Sequence, residues 1–362
     1  MPVCRSSGSR PGRPAARSRL WRSCVPLPSC TSGPWLFSSY LSRPRLSQQY
    51  VIFADCPLAQ TVVGVDRYTR CSVALSSSNR LLQSCLKKKG KRTRRQSHLW
   101  AFDISPEDAA GIIRNALCVP LSEQFLWRRP EDSFAGWLRA VESLDVFVLR
   151  TSEVEVEEMR GFSISSGGIP IIVVNALDWP RGQVFTLLHE LAHLTLREGG
   201  LCDLLEPDSA AIRAVEAWCN AVAAATLMPR DEFLDNDVIG PPGEREWDDD
   251  VLVQLSNRWG VSREAVLRRL VTLGRASYAF YRLKREEYLV AYAAYRDEER
   301  LRRRQSGGGP PPYRMAVRDR GKPYVRLVLD AYQRDLISLS SVSNLLNLKL
   351  KHLSALEHEV GA

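Results

Sequence analysis

The spacing of apolar residues predicts two helices, a strand and a β-hairpin in the second quarter of the chain. Residues 105–118 and 131–143 carry apolar side chains three and four positions apart, which is the spacing of one helix face. Residues 146–149 read Val-Phe-Val-Leu, a short run typical of a strand. Residues 162–174 contain two runs rich in Ile, Val and Phe around a Ser-Ser-Gly-Gly at 165–168, so we expect a hairpin there.

Helical periodicity dominates the rest of the chain. An alanine-rich segment at 209–228 stops at a proline and predicts one long helix. Residues 251–273 predict two amphipathic helices joined by a Gly-Val-Ser turn. Residues 278–304, crowded with Tyr, Arg and Glu, predict a long and partly solvated helix, and shorter helices are expected at 324–332 and 340–350. The whole pattern predicts an α+β fold in which a small sheet precedes several helices.

A metal-binding pattern lies between the hairpin and the alanine-rich helix. Residues 189–193 read His-Glu-Leu-Ala-His, and both imidazoles point the same way because positions i and i+4 share a helix face. They suit two positions of a tetrahedral Zn²⁺, and Glu190 is placed to act as a general base. Asp178 is expected to cap this helix and Pro180 to stand in its first turn. Two helical histidines can also be surface residues, but this pattern is rare in a chain with five histidines.

Zinc needs a third protein ligand, for which Glu216 is the candidate. It lies 27 residues after His189 (216 − 189), on the predicted alanine-rich helix. The loop between the two helices contains two glycines and a proline, so the helices can pack antiparallel and bring the carboxylate to the imidazoles. Asn220, one turn further on, could hold an imidazole N–H in place. Tyr278 and Tyr281 are candidates for a helper group.

The residues around these motifs resemble the ImmA/IrrE family of metallopeptidases. The matching stretches are Phe-Thr-Leu-Leu-His-Glu-Leu-Ala-His-Leu at 185–194, Glu-Ala-Trp-Cys-Asn at 216–220, Leu-Met-Pro at 227–229, Gly-Phe-Ser at 161–163 and Ile-Ile-Val-Val-Asn at 171–175. HExxH, ExxxN and Leu-Met-Pro together are far more specific than HExxH alone. The resemblance runs from about Ser105 to the C-terminus. In one departure, Val222 stands where the family often has Phe.

This resemblance implies a fold, a site and an activity. The fold is α+β and zincin-like, with a small antiparallel or mixed sheet packed on the HExxH helix. By the motif match, His189, His193 and Glu216 are metal ligands and Glu190 is the catalytic acid/base. The implied activity is that of a zinc-dependent endopeptidase, with Mn²⁺ as an alternative ion because two imidazoles and a carboxylate bind either. The implied substrate is a helix-turn-helix transcriptional repressor that controls stress-response or mobile-element genes.

A non-catalytic regulator is the alternative function. Such a protein would bind DNA or a repressor through residues 251–273 and the basic N-terminal segment, and would keep zinc as a structural ion. Arg263, Arg268 and Arg269 on the second helix of that pair could then contact DNA in the major groove. However, the same helix pair can pack on a peptidase or dock a substrate, and a structural ion has no need of Glu190 as a base. We therefore expect an enzyme and leave DNA open as a partner.

Positive charge is concentrated in residues 1–100. They hold 18 Lys and Arg against two acidic residues, a balance of +16, so the remaining 32 basic and 39 acidic residues (50 − 18 and 41 − 2) give −7. The first half of this segment is rich in Ser, Arg and Pro and lacks acidic residues, so we expect disorder. Three interpretations stay open: a basic arm for nucleic acid, a targeting peptide, or a start site assigned too far upstream.

Composition, the motifs and the family resemblance together divide the chain into four predicted parts. They are a basic segment at 1–100, a metallopeptidase domain at 101–235, a helix-turn-helix-like module at 236–304, and a linker with a small C-terminal helical module at 305–362.

Cysteine usage and hydropathy favour a cytoplasmic protein. None of the nine cysteines forms a CxxC pair, and their odd number, without an apolar signal core, is typical of a reducing compartment. No run reaches the roughly 18 apolar residues that a membrane span needs, so we expect no membrane partner.

Overall fold

The computed structural model of the protein describes residues 104–165, 170–196, 210–305 and 309–361. The predicted basic segment lies outside the described residues, as does most of the predicted hairpin turn. Within the described ranges the helices and strands are, in chain order, α1 (Pro106–Leu117), α2 (Leu121–Gln124), α3 (Pro130–Glu142), β1 (Phe147–Thr151), β2 (Gly161–Ile164), β3 (Ile171–Asn175), α4 (Pro180–Thr195), α5 (Ala210–Leu227), α6 (Arg230–Leu234), α7 (Asp249–Trp259), α8 (Arg263–Thr272), α9 (Tyr278–Gln305), α10 (Pro312–Arg320), α11 (Lys322–Gln333), α12 (Leu339–Leu346), a 3₁₀ turn (Leu350–His352) and α13 (Leu353–Val360).

Helix α1 begins and ends where local chemistry requires. The Ser105 hydroxyl accepts a hydrogen bond from the Asp108 N–H at 3.1 Å, and Pro106 takes the first helical position, which confirms the predicted start. The helix stops at Cys118, whose φ of 52° is left-handed. Its buried residues pack on α5, so α1 supports the helix that carries Glu216.

The sheet has three strands in the order β1-β3-β2. β2 and β3 are antiparallel, with Phe162 opposite Val173, which confirms the predicted hairpin pairing. β1 runs parallel to β3, with Val148 opposite Ile172, so the sheet is mixed. All five residues of β3 are buried, because the central strand is covered on both faces.

Two apolar clusters cover the two faces of this sheet. On one face, Val148, Ile172 and Val174 belong to a cluster that includes α4, α5, α7 and α8. On the other face, Leu149 and Val173 belong to a cluster formed with the C-terminal helices. The sheet is therefore a middle layer, and the described chain is α+β as predicted.

Helices α7 and α8 form the helix pair predicted at 251–273. Gly260 ends α7 with a left-handed φ of 69°, and the Ser262 hydroxyl caps α8 by accepting from the Ala265 N–H at 3.1 Å. Arg269, one of the arginines considered for DNA contact, is only 2% exposed. Its guanidinium donates to both carboxylate oxygens of Glu107 at 2.7 and 2.9 Å, so it is committed to packing within the domain.

The C-terminal region is more helical than its sequence pattern predicts. The helix expected over 340–350 ends at Leu346, because Asn347 has a left-handed φ of 48°. Two helices, α10 and α13, were not predicted. In α10 the many arginines leave few apolar positions from which a helical spacing could be recognised. Among the helices of the described residues, none combines the length and hydropathy needed to cross a membrane.

Candidate active site

The motif helix α4 starts at Pro180, but its start is not capped as predicted. Its N-cap residue is Trp179, and no side chain caps the helix. The Asp178 carboxylate instead accepts from the Trp179 N–H at 2.8 Å and from the Tyr292 hydroxyl at 3.0 Å. It also pairs with Arg160 at 3.3 Å. The cap prediction is wrong because these partners already occupy the carboxylate.

Most of α4 is buried between the sheet, α3 and α5. Every residue from Gln183 to Ala192 is buried. Within this stretch His189 is 8% exposed and Glu190 is 7% exposed. Burying two ionisable side chains costs free energy unless something compensates it, so their presence here indicates a role beyond packing.

The structure brings the two histidines and Glu216 together. The Nε2 atoms of His189 and His193 are 3.1 Å apart. The two Glu216 oxygens lie 3.2 Å from the His189 Nε2 and 3.3 Å from the His193 Nε2. The two imidazoles therefore share one face of α4, as the helix spacing predicted. Helix α5 packs on α4 and contributes the Glu216 carboxylate.

These separations fit a divalent cation. Donor atoms placed about 2.0–2.1 Å from a tetrahedral centre are about 3.3–3.4 Å from one another. The two imidazole nitrogens are 3.1 Å apart, and each lies 3.2 or 3.3 Å from a different oxygen of the Glu216 carboxylate. Two imidazoles and a carboxylate also form a donor set that Zn²⁺ and Mn²⁺ accept.

The ionisation state of Glu216 suits a cation. Burial alone would raise the pKa of Glu216, but hydrogen bonds and charge from His189 and His193 outweigh burial and hold that pKa well below its usual range. The carboxylate is therefore ionised at neutral pH. Its side chain is 39% exposed, so the site opens to solvent on the α5 side.

Glu190 lies where β2 crosses α4. A Cβ atom placed on Gly161 of β2 would be 3.5 Å from the Glu190 Cγ and only 2.4 Å from the Thr186 Cγ2. Only glycine lets the strand approach the helix this closely. The edge strand of the sheet is therefore adjacent to the predicted base.

Asn220 and Cys219, two neighbours of Glu216 on α5, differ in whether their side chains are hydrogen-bonded. Asn220 is buried, but its Oδ1 has no hydrogen-bond partner among the described residues, so the predicted bond to an imidazole is not formed. Cys219 is fully buried, as expected, and burial raises the pKa of its thiol despite a hydrogen bond to His193. The contact between the Cys219 thiol and His193 was not predicted. Its one sequence signal is that Cys219 lies three residues after Glu216, a spacing that puts both on one side of the helix.

The suggested helper tyrosine is engaged elsewhere. The Tyr281 hydroxyl donates to Glu264 on α8 at 3.2 Å. Burial, with the nearby charge of Glu264, raises the pKa of Tyr281 to about 12. Tyr278 packs against Tyr281, with 5.7 Å between the ring centroids.

One comparison with known proteins places this site in a family. The family described as IrrE N-terminal-like domain, peptidase M78, matches residues 141–271, a range that contains both histidines, Glu190 and Glu216. No curated protein matches the chain. The family match agrees with the resemblance seen in the sequence: residues 141–271 are similar to the IrrE N-terminal-like domain of this peptidase family.

Proposed function

We propose that the chain is a metal-dependent endopeptidase whose Zn²⁺ or Mn²⁺ is held by His189, His193 and Glu216. One observation carries this proposal. The ligand atoms of these three side chains lie within 4.8 Å of one another, and Glu190, which directly follows His189, is buried. A structural ion would need the three ligands but not the adjacent carboxylate, so the arrangement favours catalysis.

Glu190 is the proposed general base. When bound, a divalent cation supplies a Lewis acid that polarises a carbonyl group and lowers the pKa of water. Glu190 takes the proton from the attacking water and later delivers it to the leaving amine. Among the described residues none donates a hydrogen bond to its carboxylate, which leaves both oxygens available to accept that proton.

Strand β2 is the proposed support for the substrate backbone. Among the described strands β2 pairs only with β3, so its other side is an outer edge of the sheet. The close contact at Gly161 brings that edge next to Glu190. An extended peptide paired with the edge of β2 would be held across the site by backbone hydrogen bonds, which suits an endopeptidase.

The finer features of the fold are also part of the proposal. The packing of the sheet on α4 supports a zincin-like arrangement, and α7 with α8 supports a helix-turn-helix-like module. Because Arg269 is buried, we assign this module to packing or substrate docking rather than to DNA contact.

The proposed substrate is a helix-turn-helix transcriptional repressor, cut at one site to release stress-response or mobile-element genes. This part rests on the family resemblance alone, since no residue of the site identifies the substrate. A repressor substrate would require the peptidase to act in the cytoplasm.

The decisive variant is Glu190→Gln. The parent and the variant are each mixed with helix-turn-helix repressors encoded near the gene, with Zn²⁺ or Mn²⁺ added, and the products are identified by intact mass. We expect a single cut by the parent and a rate about 10²–10⁴-fold lower in Glu190→Gln, which is the usual contribution of general acid–base catalysis.

Glu123→Gln is the matched control, because Glu123 is an exposed carboxylate on α2. It should cleave as fast as the parent. Cleavage by Glu190→Gln at the parental rate would show that the proposed base is wrong. Sequence-selective duplex binding without cleavage of any repressor would favour the regulator instead.

A further inference from the structure

A cavity lies at the start of α4, on the same helix that carries the histidines. Its volume is about 390 Å³, and its walls come from the first turns of α4, the turn between α7 and α8, and the middle of α9. None of the proposed metal ligands lines it, and neither does Glu190. This volume falls within the range of about 300–1,000 Å³ that is usual for small-molecule sites.

Both acidic side chains that line the cavity have cationic partners. Asp178 pairs with Arg160 at 3.3 Å. Glu264 pairs with Arg285 at 3.3 Å. Neither carboxylate is therefore left to balance the other positive charges of the cavity wall.

Arg181 is one of those charges, and it has neutral partners. Its Nη atoms donate to the Ser256 Oγ at 2.6 Å and to the Asn257 Oδ1 at 2.7 Å. Its Nε is buried and has no hydrogen-bond partner in the described structure. Burial lowers the pKa of Arg181, because a charge without a counter-ion is costly to desolvate.

Arg263 is the second uncompensated charge. Its guanidinium lies over the Tyr288 ring, 4.7 Å from the centroid. No carboxylate of the described residues is within ion-pair distance of it. Arg181 and Arg263 each stand in the first turn of a helix of ten or more residues, where the helix dipole adds to their attraction for an anion.

Aromatic rings line the same cavity. Trp179 and Tyr295 meet edge to face with 4.6 Å between their centroids, and the Trp179 side chain remains partly exposed. Tyr292 and Phe185 complete an apolar wall around the two arginines. A flat ring in this space would gain stacking and edge contacts.

We propose that this cavity binds a small anion with a planar ring, whose negative group is held by Arg181 and Arg263. A phosphate and a carboxylate share the chemistry that two arginine side chains recognise. Two probe anions, adenosine 5′-monophosphate and indole-3-carboxylate, separate these sources, with adenosine and indole as their uncharged counterparts. This binding does not depend on the proposed peptidase activity.

Isothermal titration of the full chain with each probe tests the proposal. At least one anion should bind with a stoichiometry of one, about tenfold or more tighter than its uncharged counterpart, because charge-assisted hydrogen bonds are lost without the anionic group. Arg181→Gln and Arg263→Gln should each weaken the binding of that anion about tenfold. Trp179→Ala should weaken it less than either arginine variant.

Arg258→Gln is the matched control, since Arg258 belongs to α7 but contacts Phe125 and does not line the cavity. It should bind like the parent. Circular dichroism verifies folding, and Arg263→Gln serves as the second variant if Arg181→Gln does not fold. Failure of both anions to bind the parent, or equal binding by parent and both arginine variants, would overturn the proposal.

Discussion

The two faces of the sheet differ in the kind of side chain they bury. The face covered by α4 and α5 belongs to a core that also encloses His189, Glu190 and Asn220. The face covered by α11 to α13 belongs to a core of apolar side chains, and the described residues 309–361 bury no charged or amide side chain.

The two faces therefore differ in how the side chains that they bury affect the stability of the fold. Apolar burial stabilises a fold by about 25 cal/mol per Å², whereas a buried ionisable group opposes folding unless it is paired. The C-terminal face, which buries apolar side chains, therefore contributes to the stability of the fold. The α4 face buries ionisable side chains, and a cation bound at the proposed site would offset part of that cost.

Leu329→Ala on α11 is the sharpest test of the stabilising face. Leu329 is 1% exposed, so its truncation should lower the free energy of unfolding by about 2–5 kcal/mol. Metal content and cleavage by the folded fraction should not change. Urea unfolding measures the free energy of unfolding, and elemental analysis measures the metal content.

Leu350→Ala is the control in the same region, because Leu350 is 45% exposed and its loss should cost less than about 0.5 kcal/mol. Loss of metal by folded Leu329→Ala would show that the two faces are not independent.

Gly161→Ala tests the contact between β2 and α4. The added Cβ would lie 2.4 Å from the Thr186 Cγ2 and 2.8 Å from the Val173 carbonyl oxygen, so the strand must move away from the helix. We expect a loss of about 1–3 kcal/mol in stability, together with slower cleavage. Thermal unfolding and initial rates measure both effects.

Gly111→Ala on α1 is its counterpart, since a Cβ there meets nothing within 4 Å. That substitution should stabilise the helix by about 0.5–1 kcal/mol. Equal stability of the two alanine variants would contradict the close packing of β2 on α4.

Glu142→Gln probes where the C-terminal region meets α3, and its effect should be the smallest. A Cβ on Gly321 would lie 2.6 Å from the Glu142 carboxylate, and burial raises the pKa of Glu142 to about 7. A raised pKa means that the folded state favours the protonated carboxyl. The stability from this group is complete below its unfolded pKa and is lost as the pH rises through about 7.

The Gln variant lacks this loss, so its melting temperature should exceed that of the parent by a few degrees at pH 8 and converge with it at pH 4. Glu131→Gln, at an exposed position on the same helix, should show no such difference. An equal pH dependence for the parent and Glu142→Gln would rule out the raised pKa.

Local patterns predicted the elements that form the site. Helical spacing placed both histidines on one face, and an alanine-rich run predicted the helix that carries Glu216. An alternating apolar run predicted β2, which is buried on one face, and continuous apolar runs predicted β1 and β3.

Long-range contacts were less accessible from the sequence. The partners of Asp178 include Tyr292, 114 residues away, so no local cap rule could reveal them. The burial of Arg269 depends on Glu107, 162 residues earlier in the chain. The cavity lined by Arg181 and Arg263 likewise joins three separate parts of the chain. None of these parts has an unusual composition by itself.

The metal content of the parent and two variants is a direct test of the proposed site at His189, His193 and Glu216. The parent, Glu216→Ala and Glu190→Gln are dialysed with Zn²⁺ or Mn²⁺, freed of excess ion and analysed by inductively coupled plasma mass spectrometry. We expect about one ion per chain in the parent and in Glu190→Gln, and a large loss in Glu216→Ala, because a tetrahedral site needs the third protein ligand. Full metal content in folded Glu216→Ala, or none in the parent, would contradict this expectation.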